Sequence, residues 1–235
     1  RNNLLGYPIF LPLLSLPILR LITFTGDAWD YIVLTLWTLM IIFLALFVRK
    51  YYPEYSHVRG IPWTSLLIIA SFILFVVNIV FYIPFNISPS DAPREVAALV
   101  FTGNILFACM AVVIFATIRK MVENSWYALL GTMICIGSSS YLIWASSGKD
   151  HMLVLFLFSV IIFGLINYIL TKKVFYSFLS FLFIGLLAWE RPELGLFVFI
   201  AALIILGLFV MKEWSDIKEK RRFSYLLTSP FFTLI

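Results

Sequence analysis

Eight apolar runs, each roughly long enough to cross a bilayer, limit this chain more than anything else in it. They read Tyr7–Phe24, Tyr31–Val48, Ile61–Pro84, Val96–Ile118, Trp126–Ala145, Met152–Leu170, Val174–Trp189 and Leu194–Met211, and a ninth opens near Tyr225. A hydrocarbon core takes about 20 residues at a rise of about 1.5 Å each. Inside it the backbone must satisfy its own hydrogen bonds, and these runs lack the alternation of barrel strands. The expected fold is therefore all-α: a polytopic transmembrane helix bundle, one integral-membrane domain over residues 1–235. Composition agrees, with 63% hydrophobic and only 12% charged residues, where soluble domains carry about 25% charged. Cys109 and Cys135 both lie inside apolar runs, which argues against a disulfide framework. The chain starts at Arg1 and stops inside an apolar run, so it reads as part of a longer protein without a cleavable signal peptide.

The connections sort by charge. One alternate set holds Arg49, Lys50, Arg59, Arg119, Lys120, Lys172, Lys173, Lys212, Lys218, Lys220, Arg221 and Arg222, which is 12 of the 17 basic residues. The other set holds Arg94, Lys149 and Arg191. The positive-inside rule places the first set in the cytoplasm, and with it the amino terminus. The location expected is a plasma membrane, or the endoplasmic reticulum membrane of a eukaryote. The net charge of +5 is thus a topology signal and no sign of a nucleic-acid partner.

The outer connections have another character. They hold seven of the twelve acids: Asp27, Asp30, Asp91, Glu95, Asp150, Glu190 and Glu193. Gly26-Asp27-Ala28-Trp29-Asp30 puts two carboxylates between the first two runs, at the expected mouth of a helix hairpin. Asp costs about 3 kcal/mol at the centre of a membrane helix, so two at one edge point to a site. The plain alternative is turn and N-cap chemistry. Capping accounts for one charge per helix end, and less well for four short outer loops that all carry charge clusters. Arg20 stands seven residues before Asp27, on the same helical face, where an ion pair would steady the loop. Pro8, Pro12 and Pro17 are expected to kink the first helix. Asn78 and Asn104 are expected to hydrogen-bond between helices.

Several activities are argued down. The helix centres hold no Asp, Glu, Lys or Arg, unlike the midplane sites of transporters. There is no His-Glu-x-x-His zinc motif and no glycine-rich phosphate loop. What is left is carboxylate and cation chemistry at the outer membrane edge.

At this point three motifs matter. Asp27-Ala28-Trp29-Asp30-Tyr31, directly after the first run, resembles the acidic first-outer-loop motif of the GT-C glycosyltransferases. Ala188-Trp189-Glu190-Arg191-Pro192-Glu193 is similar to the Arg-Pro-Glu signature common in that superfamily. Lys149-Asp150-His151-Met152-Leu153 resembles the charged entry to a middle helix in these enzymes. The resemblance implies a polytopic enzyme that moves a sugar from a polyprenyl-phosphate carrier to an acceptor protein or glycan on the outer face, with inversion at the sugar carbon. It implies that Asp27 is the general base and that Asp30 orients the acceptor or helps hold a divalent cation, Mg or Mn. Lys149, Asp150, His151, Glu190, Arg191 and Arg94 are then the substrate-binding set, with Arg191 or Lys149 facing the lipid phosphate. The first outer loop is shorter than in many members. Two other readings stay open: a non-enzymatic membrane subunit, and a different lipid-carrier enzyme (polymerase, ligase or acyltransferase) with His151 or Arg191 central.

Overall fold

The computed structural model describes residues 10–51, 53, 62–81, 94–137, 148–212 and 230. Among these residues the chain is all-α, with eight helices: α1 (Phe10–Thr25), α2 (Trp29–Tyr51), α3 (Trp63–Phe81), α4 (Arg94–Met121), α5 (Ser125–Gly137), α6 (His151–Thr171), α7 (Val174–Glu190) and α8 (Pro192–Lys212). Each expected run holds one helix. Five of them, α2, α3, α4, α6 and α8, are long and apolar enough to cross a membrane, while α1, α5 and α7 are shorter apolar helices. The protein is a multi-pass integral membrane protein. Asp91 and, apart from Pro230, the ninth run from Tyr225 lie outside the described residues.

The chain divides into two compact units, Arg1–Ile18 with Glu95–Ile235, and Leu19–Arg94. In the first unit α6 is the central element. Met152, Leu153, Leu157 and Ile161 of α6 form a core with Phe181, Ile184 and Leu187 of α7, Val198, Ala202 and Leu206 of α8, and Leu106 and Met110 of α4. Lipid is as apolar as these side chains, so close packing rather than water exclusion must hold them together. Small residues allow it. A Cβ at Gly164 would run into Ser180 and the Tyr176 carbonyl, so α6 and α7 touch backbone to backbone there. The Ser180 hydroxyl shares its one proton between Ile161 O across the seam at 3.2 Å and Tyr176 O of its own helix at 3.0 Å. Gly195 lets α8 approach Ala188 in the same way. Edge-on ring pairs fill the rest, Phe181 on Phe199 at 5.8 Å and Tyr168 on Phe209 at 5.5 Å.

Asn167 is the fully buried amide of this seam. Its Nδ2 donates to Phe163 O at 2.8 Å, and its Oδ1 has no partner among the described residues. By contrast Asn104 is exposed, and Asn78 donates to Leu74 O of its own helix at 2.7 Å. For Asn78 the i−4 carbonyl takes the place of the acceptor expected on a neighbouring helix.

In the second unit α2 and α3 pack along each other through small and hydroxyl side chains, with Thr38, Ala45, Thr64 and Ser71 buried. Thr25 and Trp29 keep right-handed helical dihedrals, and a three-residue 3-10 turn with Gly26 at φ +55° makes the break between them. Pro12 sits in the first turn of α1, where no helical bond is lost, and Pro17 lies inside the helix.

Candidate functional site

Two features of the sequence bring α6, α7 and α8 to a common end. Only Lys172 and Lys173 separate α6 from α7, so the helices run antiparallel and the start of α6 meets the end of α7. Pro192 does the rest. A proline disfavours helical dihedrals in the residue before it and is well placed as the first residue of a helix. Arg191 accordingly adopts φ −143°, ψ 94°, and is the single non-helical residue between α7 and α8. Its N–H donates to Leu187 O, closing α7, and its carbonyl accepts from Gly195 N–H, opening α8. The Arg191 side chain is thereby held at the junction of two helix ends.

There it meets Asp150 across a separation of 41 residues. Arg191 Nε donates to Asp150 Oδ2 at 2.8 Å, and an Nη atom lies 2.8 Å from the same oxygen. Asp150 occupies the N-cap position of α6 but makes no capping hydrogen bond with its side chain. The capping explanation therefore fails for this residue, whose carboxylate faces the guanidinium instead. His151 completes the group, its Nδ1 being 3.3 Å from Arg191 Nη2 and 3.7 Å from Asp150 Oδ1. Arginine can only donate, so where Nδ1 hydrogen-bonds Arg191 Nη2 it is the acceptor. Gly148, at φ +64°, turns the chain into this segment beside Leu99 and Val100 of α4.

Glu190 is the last residue of α7, just past the apolar run, and only 5% exposed. Neither carboxylate oxygen has a hydrogen-bond partner among the described residues. Burial pushes its carboxyl above the ordinary 4.5, and the nearby Asp150 charge pushes it further. The Phe10 backbone N–H at the start of α1, which approaches without closing a hydrogen bond, and the Arg191 guanidinium pull it partly back. A carboxylate at a helix C-terminus is also on the wrong end of the helix dipole.

Of the residues singled out from sequence, Asp150, His151, Glu190 and Arg191 thus converge. Lys149 is exposed in the turn just before them. Glu193 is in the first turn of α8. Asp27 lies in the 3-10 turn, Asp30 is the second residue of α2, and Arg94 opens α4, all three in the second unit. The side chains of Asp27 and Asp30, expected as base and metal ligands, lie outside the described part of the structure. Among the described residues no three His, Cys, Asp or Glu side chains are grouped to hold a metal ion. Sequence reading missed the buried Asn167 and its seam. The signal was there in the three-residue spacings Gly164/Asn167 and Ser177/Ser180, which put small or polar groups on one helical face.

The cluster presents a guanidinium about a third exposed, held by a carboxylate, at the end of an otherwise apolar helix triplet. Such a group binds phosphate or carboxylate with directional hydrogen bonds. No protein-family model, curated protein or solved structure matches the chain.

Proposed function

We propose that this protein is a membrane glycosyltransferase of the GT-C kind, which moves a sugar from a polyprenyl-phosphate carrier to an acceptor protein or glycan on the non-cytoplasmic face. The amino terminus is on the cytoplasmic side in this reading, as the loop charges require. The observation that carries it is the assembly of Asp150, His151, Glu190 and Arg191, from two connections far apart in sequence, at one end of α6–α8. Arg191 binds the carrier phosphate, and Asp150 and His151 orient the guanidinium.

The reaction is the one the resemblance implies, with Asp27 as the base that takes the proton of the acceptor hydroxyl. The freed oxygen attacks the anomeric carbon, forming the new glycosidic bond with inversion. The bond from that carbon to the phosphate oxygen breaks, and its electron pair leaves with the lipid phosphate, whose growing charge Arg191 stabilises. Asp30 orients the acceptor.

The test is sugar transfer from a polyprenyl-phosphate-linked sugar by the full chain in lipid. Asp27→Asn keeps shape and an acceptor oxygen but cannot take a proton, and should lower the rate by about 10²–10⁴. As an N-cap, Asn would replace Asp almost without loss. Wild-type turnover in Asp27→Asn would remove the base assignment. No transfer by the wild type from any lipid-linked sugar would favour the non-enzymatic subunit.

A further inference from the structure

The two ends of the α6–α8 triplet are opposite in charge. Asp150, Glu190 and Glu193, the carboxylates of these helices and their adjoining turns, lie at the end described above. Lys172, Lys173 and Lys212 lie at the other, and the reaction uses none of them. The apolar stretches able to cross a membrane stop at Thr171 in α6 and at Phe209 in α8. The lysines that follow therefore stand at the depth of the lipid headgroups.

The backbone fixes this corner. α6 runs antiparallel to α7, and α8 turns back along α7, pairing Gly195 with Ala188 and then Phe199 with Phe181. The last turns of α6 and α8 thus arrive together, and Tyr168 meets Phe209 there at 5.5 Å. Lys172 comes one turn after Tyr168, its N–H donating to Tyr168 O at 2.7 Å. Lys212 comes three residues after Phe209 on the same helix. One ring contact therefore carries the two lysines to neighbouring positions. Lys173 is next in the chain, exposed, and is the N-cap of α7. A cation there opposes the helix dipole and offers no acceptor to the first N–H groups. Cations gathered in this way repel one another, and an anion relieves both costs. Beside them Leu170, Phe175 and Met211 are exposed. Ammonium groups at headgroup depth, flanked by apolar side chains, suit an amphiphile with an anionic head better than a soluble anion. Beyond Lys212 the sequence adds Lys218, Lys220, Arg221 and Arg222 against Glu213, Asp216 and Glu219, so the sign stays positive.

We propose that the corner formed by Lys172, Lys173 and Lys212 binds the headgroup of an anionic phospholipid, whose acyl chains lie along the exposed apolar side chains beside it. The loop charges put this lipid in the cytoplasmic leaflet. The site is at the opposite end of the triplet from Arg191 and does not depend on sugar transfer.

The probe is dioctanoyl phosphatidylglycerol, with dioctanoyl phosphatidylcholine as the uncharged comparison, titrated by native mass spectrometry onto the full chain in a nonionic detergent. Wild type should hold the phosphatidylglycerol more tightly by about tenfold or more, and each of Lys172→Gln, Lys173→Gln and Lys212→Gln should weaken it about fivefold. Phosphatidylcholine binding should not change, which also reports that the variants are folded. The double change Arg49→Gln/Lys50→Gln removes as much charge from the end of α2 as Lys172→Gln/Lys173→Gln removes here, and should leave the tight lipid in place. A photoreactive phosphatidylglycerol should label residues 169–175 and 208–212 of the wild type, a reading that needs no variant. Equal binding of the two lipids would overturn the proposal. So would an equal loss from the Arg49/Lys50 change, which would mean a diffuse charge effect. Displacement by inorganic phosphate at the same concentration would mean a small-anion site and would overturn it too. None of these outcomes bears on the carrier site at Arg191.

Discussion

α2 and α6 are equally apolar and nearly equal in length, yet half of the apolar stretch of α6 is buried within the protein and only 6% of that of α2. Phe43, Leu36 and Trp37 of α2 are exposed, whereas Met152, Leu153, Leu157 and Ile161 of α6 are buried. The apolar content of a membrane helix thus says that it can cross, and nothing of what it faces. α6 has close neighbours on two sides of one helix triplet. Gly164 and Ser180 bring α6 against α7, Gly195 brings α8 against α7, and the same three helices end in Asp150, His151, Glu190 and Arg191.

The contrast can be broken most sharply by removing a ring from each region. Phe181→Ala, at a site fully buried against Phe199, should cost about 3–5 kcal/mol in denaturant unfolding, and Phe43→Ala, at 68% exposure, less than about 0.5. Equal costs would mean that α2 is covered as fully as α6. Gly164→Val tests the seam. Its Cβ meets the Tyr176 carbonyl as well as a side chain, so a loss at the upper end of about 1–3 kcal/mol is expected. Gly207→Ala, on α8 where a Cβ meets nothing, should stabilise by about 0.5–1 kcal/mol.

Asp150→Asn should cost about 1–2 kcal/mol, between the values of exposed and buried pairs, since the partners are 14% and 34% exposed. A still smaller effect is expected from pH. Glu190 has its pKa raised in the fold, so its contribution to stability is full below the ordinary 4.5 and is lost as pH rises through the raised value. The melting temperature should fall across that window in wild type and less so in Glu190→Gln.

The number and order of helices were legible because lipid demands long apolar segments, and each of the eight runs became one helix. Arg191 was legible as a candidate from its place in a charged outer connection, Glu190-Arg191-Pro192-Glu193. The pairing of Arg191 with Asp150 was not, since it depends on the two-residue link of Lys172 and Lys173 setting α6 antiparallel to α7. The burial of Glu190 was hidden too. Its neighbours in sequence, Trp189 at 71% exposure and the guanidinium of Arg191, look outward, and only the fold shows the carboxylate turned in. The connection between α1 and α2 was legible as a break from Gly26, and the structure gives it the form of a three-residue 3-10 turn.

The central claim is that the Asp150–Arg191 end of α6–α8 holds the phosphate of a lipid-linked sugar. Photolabelling tests it most directly, using a prenyl-phosphate-sugar analogue with its photoreactive group next to the phosphate, on the full chain in lipid, mapped by mass spectrometry. Label should fall on the segments 148–153 and 189–193, and unlabelled polyprenyl phosphate should compete it away. Label spread along the exposed faces of α2 and α3, unmoved by competitor, would contradict the claim.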